Sequence, residues 1–137
     1  FPMDESSFRV ALYAFRELGQ NDACQRNYKY IIKEQYKDLF HLHSGTSILI
    51  RNSAYENTLS DEIQILDQLQ NTQYDIIIDL NSNFHLGIAR LISLLKADLK
   101  VGFTSSFSDQ FYNIQLDISK SGVMEKGYKQ VNMMLAL

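Results

Sequence analysis

Residues 74–103, YDIIIDLNSNFHLGIARLISLLKADLKVGF, constrain the fold more than any other stretch of the chain. Ile76, Ile77 and Ile78 form an unbroken β-branched run between Asp75 and Asp79. Such runs belong to strands covered on both faces, as in parallel sheets flanked by helices. A polar loop follows. Phe84, Ile88, Leu91, Ile92 and Leu95 then recur at helical spacing, and residues 99–103 predict the next strand. Strand, helix, strand in that order means an α/β layered domain.

The rest of the chain fits the same alternation. Phe8, Ala11, Leu12, Phe15 and Leu18 predict a first helix, with Ser6 or Ser7 able to cap its start and Gly19 its end. Residues 28–32 predict a strand, 35–43 a short helix carrying Tyr36, Leu39 and Phe40, and 46–50 a further strand. Residues 52–57 are polar and loop-like. Thr58 and Asp61 have capping-box spacing for a helix whose buried stripe is Leu59, Ile63, Leu66 and Leu69, fading near Asn71. Residues 114–118 predict a short strand, and Tyr128, Val131, Met134 and Leu135 a closing helix. The opening Phe-Pro-Met fits the last residues of a strand that feeds the first helix.

The expected fold class is therefore α/β: a three-layer, Rossmann-like, open, mostly parallel sheet with helices on both faces and strand order 3-2-1-4-5. At 137 residues the chain is expected to be one domain, 1–137. It begins at Phe rather than Met. If the opening strand is central in that sheet, three residues are a short remnant of it and its neighbours would be left with unpaired backbone groups. The native N-terminal strand is thus expected to continue upstream, or a partner to fill the gap.

Hydrophobic residues make up 45% of the chain and charged residues 21%, which excludes a disordered composition. Net charge is −3 without a basic cluster, so nucleic acid is not an expected partner. No apolar run reaches the roughly 18 residues of a transmembrane segment. Cys24 is the single cysteine, there is no N-x-Ser/Thr acceptor, and no signal peptide is expected. A reducing, cytoplasmic location is the expectation.

Ligands of open α/β sheets bind beyond the carboxyl ends of the strands. Residues 2–7, 79–84 and 104–109 should meet there. Asp4 is an acid positioned to take a proton from a substrate hydroxyl, and Ser6 and Ser7 sit where an anion can be held at a helix start. The same residues also suit ordinary capping. Asp79, Asn81, Ser82 and Asn83 offer the donors and acceptors that sugar hydroxyls need, or satisfy their own loop. His85 lies beside them, as a ligand contact or as a solvated or core-edge histidine. His41 and His43 are two apart and do not share a helical face, and no carboxylate or cysteine supports them, so no metal is expected. Phe103, Phe107, Phe111 and Tyr112 form an aromatic cluster suited to core packing or to a sugar. One glycine, Gly102, makes no phosphate-binding fingerprint, and no cofactor is expected.

The pattern Y-D-I-I-I-D-L, a polar loop, A-R-L and then V-G-F resembles the ADP-heptose:lipopolysaccharide heptosyltransferase family. ALYAFREL, residues 11–18, is similar to that family's first helix. The resemblance implies a bacterial-type glycosyltransferase built from two Rossmann-like halves, with this chain corresponding to the N-terminal, acceptor-sugar half. It implies Asp4 as the catalytic base, and Ser6, Ser7, Asp79, Asn81, Asn83 and His85 as acceptor-binding residues. The family's Gly-Asp pair precedes that helix, and ungapped alignment puts Ser7 at its Asp; Asp4 lies three residues earlier. His85 is the nearest equivalent of a basic residue after the fourth strand. The donor-binding half is a second domain that a chain of this length does not hold. The expected partners are therefore a sugar acceptor and either a second domain or a protein partner.

A non-catalytic binding or structural subunit derived from that half-domain is the alternative. It would show an apolar patch over the closing helix, where Met133, Met134 and Leu135 cover more than one face. A receiver-like domain fits less well, because the strand at 46–50 ends in Arg51 rather than Asp.

Overall fold

A computed structural model describes residues 1–18, 26–41, 45–52, 59–118 and 124–135. The elements run α1 (Glu5–Ala14), β1 (Lys29–Lys33), a 3-10 turn (Glu34–Leu39), β2 (Thr46–Ile50), α2 (Glu62–Leu69), β3 (Tyr74–Ile78), α3 (Leu86–Leu94), β4 (Ala97–Phe103), a second 3-10 turn (Ser108–Gln110), β5 (Ile114–Leu116) and α4 (Met124–Leu135). Among the described residues the paired strands are parallel: β1 with β2, β3 with β4, and β4 with β5. The mixed α/β architecture, with parallel strands and flanking helices, is that of a Rossmann-like open fold.

The strands form two hydrogen-bonded sheets, β1-β2 and β3-β4-β5, instead of one continuous ladder. Residues 1–3 tie them together. The Phe1 nitrogen donates to the Ile31 carbonyl of β1 at 3.0 Å, and Met3 N–H donates to the Asn81 side chain, just past β3, at 2.9 Å. Residues 1–3 thus bridge the two sheets by single bonds, and the order 3-2-1-4-5 is not formed as one ladder among the described residues. A side-chain amide stands where a ladder bond to β3 would be.

Side chains alternate between two cores, as the pleat requires. Ile48 and Ile50 of β2 join Ile65 and Leu69 of α2 and Ile88, Leu91 and Ile92 of α3 on one face. Val101 and Phe103 of β4 join Ala11 and Phe15 near α1, and Tyr128 and Val131 of α4, on the other. The isoleucines of β3 divide accordingly: Ile77 packs with the first set, Ile76 and Ile78 with the second. Tyr30 and Ile32 of β1 meet Phe8 and Leu12 in a third cluster.

Several local expectations are corrected. Asp4, not a serine, caps α1. The segment after β1 winds as a 3-10 turn ending at Leu39, tighter and shorter than the helix expected to reach His43. The buried side of α2 is Ile65 and Leu69, while Ile63 is 73% exposed. Helix α2 starts at Glu62, whose carboxylate pairs with Arg90 of α3 at 3.0 Å. Phe84 precedes α3 and packs on Phe107 and Phe111, with ring centroids 5.2 and 5.6 Å away. Gly19, His43 and Thr58 lie outside the described residues, as does Cys24.

Gly102 of β4 is required by close approach. A Cβ there would stand 2.5–2.6 Å from three atoms of the Tyr112 ring. The ring cannot retreat freely, because its hydroxyl is bonded to Asp79. Gly102→Ala is expected to cost about 1–3 kcal/mol through overpacking, read from chemical unfolding. Unchanged stability would mean that the ring moves aside.

Candidate functional site

Parallel strands bring their carboxyl ends to one edge. Asp4 follows residues 1–3 there, Asn52 follows β2, Asp79 follows β3, and the loop beginning at Thr104 follows β4. Seven candidate residues were legible at this edge, and burial divides them. Asp4, Ser6 and Asn83 are exposed; Ser7, Asp79, Asn81 and His85 are buried.

Asp4 has extended backbone, and its side chain takes up the Ser7 N–H, one of the free groups of the α1 start. Its Oδ2 accepts from Ser7 N–H at 2.9 Å and from the Ser6 hydroxyl at 3.1 Å. Partial burial pushes the carboxyl up, but the bonds from Ser7 and Ser6 outweigh it and hold its pKa below the ordinary value. Asp4 is thus an exposed carboxylate on a fixed rotamer. Ser7, in the first turn of α1, is buried at 2% exposure.

Asp79 is the centre of the buried set, at 4% exposure. Its Oδ1 accepts from Asn81 N–H at 2.9 Å and from the Asn81 side-chain amide at 2.8 Å. Its Oδ2 accepts from the Tyr112 hydroxyl. Its own N–H donates to Val101 of β4 at 2.8 Å. The Asn81 Oδ1 then accepts from Met3 N–H. The Tyr36 hydroxyl reaches the Met3 carbonyl at 3.3 Å. One polar network therefore runs from Tyr112, after β4, through Asp79 and Asn81 to the residue before Asp4. Burial raises the Tyr112 pKa, and the neighbouring Asp79 charge and their bond raise it further. The tyrosine stays a neutral donor.

His85 is the N-cap of α3. Its Nδ1 accepts from Ile88 N–H at 3.2 Å. An accepting Nδ1 leaves the proton on Nε2, which donates to the Asn52 side-chain oxygen at 3.1 Å. Burial lowers its pKa; Asp79 opposes that shift and Lys33 adds to it. His85 is thus a neutral structural group, and its role at this edge is to hold Asn52 and the first turn of α3.

Two members of the arrangement were not marked as site residues by sequence. The sequence places Tyr112 in an aromatic cluster and Asn52 in a polar loop. Tyr112 is 33 residues from Asp79, and no local spacing encodes that contact. Asn83 and the 53% exposed Phe107 remain at the surface. Among the described residues, no group of three or more His, Cys, Asp or Glu side chains could hold a metal ion. No helix among them is long and apolar enough to cross a membrane.

The class so defined is an α/β chain of Rossmann-like architecture with an exposed polar edge supported by a buried Asp-Asn-Tyr network. A scan against family models, a search of curated proteins and a search of solved structures each found no match to it.

Proposed function

We propose that this chain is an acceptor-binding domain of glycosyltransferase type. The observation that carries the proposal is the grouping of Asp4, Ser6 and Asn83 as exposed polar residues at the carboxyl edge, where open α/β sheets bind ligands. The resemblance of residues 74–103 and 11–18 to heptosyltransferases supports it and suggests a sugar as the occupant. Asp79, Asn81 and His85 serve as scaffold beneath that edge, not as direct contacts.

In the corresponding reaction, the Asp4 carboxylate takes the proton of an acceptor hydroxyl. The freed oxygen bonds to the anomeric carbon of a nucleotide-activated sugar held by a second domain. The bond from that carbon to the diphosphate breaks, and the nucleoside diphosphate leaves. Asp4→Asn in the native polypeptide is expected to lower transfer by about 10²-fold or more, measured as nucleotide release with the sugar donor and acceptor present. Turnover equal to the parent's would overturn Asp4 as the base.

A non-catalytic binding subunit is the alternative, and one observation favours it. Asp4 is engaged as a helix cap, and its lowered pKa makes it a weaker base than a free aspartate. Of the three residues expected to form an apolar patch on α4, Met133 is 70% exposed, whereas Met134 and Leu135 pack against the second core. In that case neither the parent nor Asp4→Asn transfers a sugar.

A further inference from the structure

We propose that His85 is a proton-sensitive latch: neutral, it pins the end of β2 to the first turn of α3, and protonated, it releases both. The geometry carries the inference. One imidazole makes two bonds of opposite sense, accepting from Ile88 N–H and donating to Asn52. Only the neutral Nε2–H tautomer can do so. A second proton on Nδ1 would face the Ile88 N–H, donor against donor. It would also place a positive charge at the positive end of the α3 dipole. The ring is 6% exposed, so the imidazolium cannot be hydrated where it stands.

The surrounding charges set the balance. Asp79 approaches from the end of β3 and favours the protonated form; Lys33 approaches from the end of β1 and opposes it. Arg51, beside Asn52, is paired with Glu34 at 2.7 Å, and Arg90 of α3 is paired with Glu62 of α2. Burial outweighs Asp79, so the folded pKa lies below the ordinary 6.5. The sign follows from linkage. The folded chain binds the proton less readily than the open one, so the latch is intact above the ordinary histidine value. It is lost as pH falls below that value toward the folded pKa. The consequence is local: Asn52 and the α3 start border the polar edge, so that edge loosens in acid while the cores remain packed.

The test is amide hydrogen exchange on the 137-residue chain, with rates normalised to those of an unstructured peptide at each pH. In the parent, protection at Ile88 should fall below about pH 6.5, by at most about tenfold per pH unit for one proton, while Val101 of β4 stays constant. His85→Asn retains an N-cap oxygen and removes the titrating ring, so its Ile88 protection should be flat with pH. His41 is kept in that variant and serves as a control. A flat profile in the parent, or the same slope in the variant, would overturn the proposal. If the variant does not fold, the parent decides: the His85 ring resonance and the Ile88 amide must titrate with one shared midpoint, and separate midpoints would overturn it.

Discussion

Asp79→Ala is expected to destabilise the chain by about 3–5 kcal/mol, the largest effect of any substitution at the polar edge. The substitution removes the acceptor of three donors at once: Asn81 N–H, the Asn81 amide and the Tyr112 hydroxyl. Each buried donor left unpaired costs about 1–3 kcal/mol. Removing a buried charge also relieves a desolvation penalty, which offsets part of the sum. The loss should still win, because Asn81 and Tyr112 are themselves buried and have no route to water without shifting the chain. Tyr112→Phe removes one of the three donors and leaves Asp79 with its Asn81 bonds, so it should cost less, about 1.5–3 kcal/mol. The double variant should then cost less than the sum of the two, since the orphaned hydroxyl is gone. Urea unfolding of the three variants measures this. An Asp79→Ala chain as stable as the parent would mean that the network is incidental to the fold.

Tyr128→Ala should cost about 3–5 kcal/mol by the same measurement, for a different reason. Tyr128 is fully buried, and its ring packs against Phe103 of β4 and against Phe15, with centroids 5.9 and 5.8 Å apart. It anchors α4, whose other fully buried large side chain is Val131. Removing the ring leaves a cavity between helix and sheet that rigid strands cannot close. The hydroxyl donates to the Leu80 carbonyl at 3.0 Å, and that bond alone is worth about 1 kcal/mol. Tyr128→Phe should therefore lose only that smaller amount. Equal losses in the two variants would assign the effect to the hydroxyl rather than to packing.

The elements most legible in the sequence were those whose pattern is local and unambiguous. The TSILI strand coincides with β2, and Ile88, Leu91, Ile92 and Leu95 are all buried as the stripe required. Helix α2 shows the limit of periodicity. Of the expected stripe Leu59, Ile63, Leu66 and Leu69, Leu59 and Leu69 are buried and Leu66 packs against the core, but Ile63 is exposed and Ile65, outside the stripe, is buried. Which residues face inward depends on packing against β2 and α3, which no window around α2 contains. The polar edge shows a second limit. Asp79 and Asn81 are two residues apart and could be grouped from sequence, but Tyr112 and Met3 reach them only through the fold. His85 was legible as a residue at a helix start. Its use of Nδ1 as the capping acceptor was not, because the serine, threonine, asparagine and aspartate that normally cap give a stronger signal.

The central claim is that the exposed part of this edge receives a sugar while the buried part holds it in shape. The most direct test is a two-dimensional amide NMR titration of the chain with a heptose and, separately, a hexose, carried into the millimolar range. The account predicts saturable shifts confined to residues 4–7 and 82–85, described by one dissociation constant and weakened in Asp4→Asn. Shifts that do not saturate, or that centre on α4 instead, would contradict it.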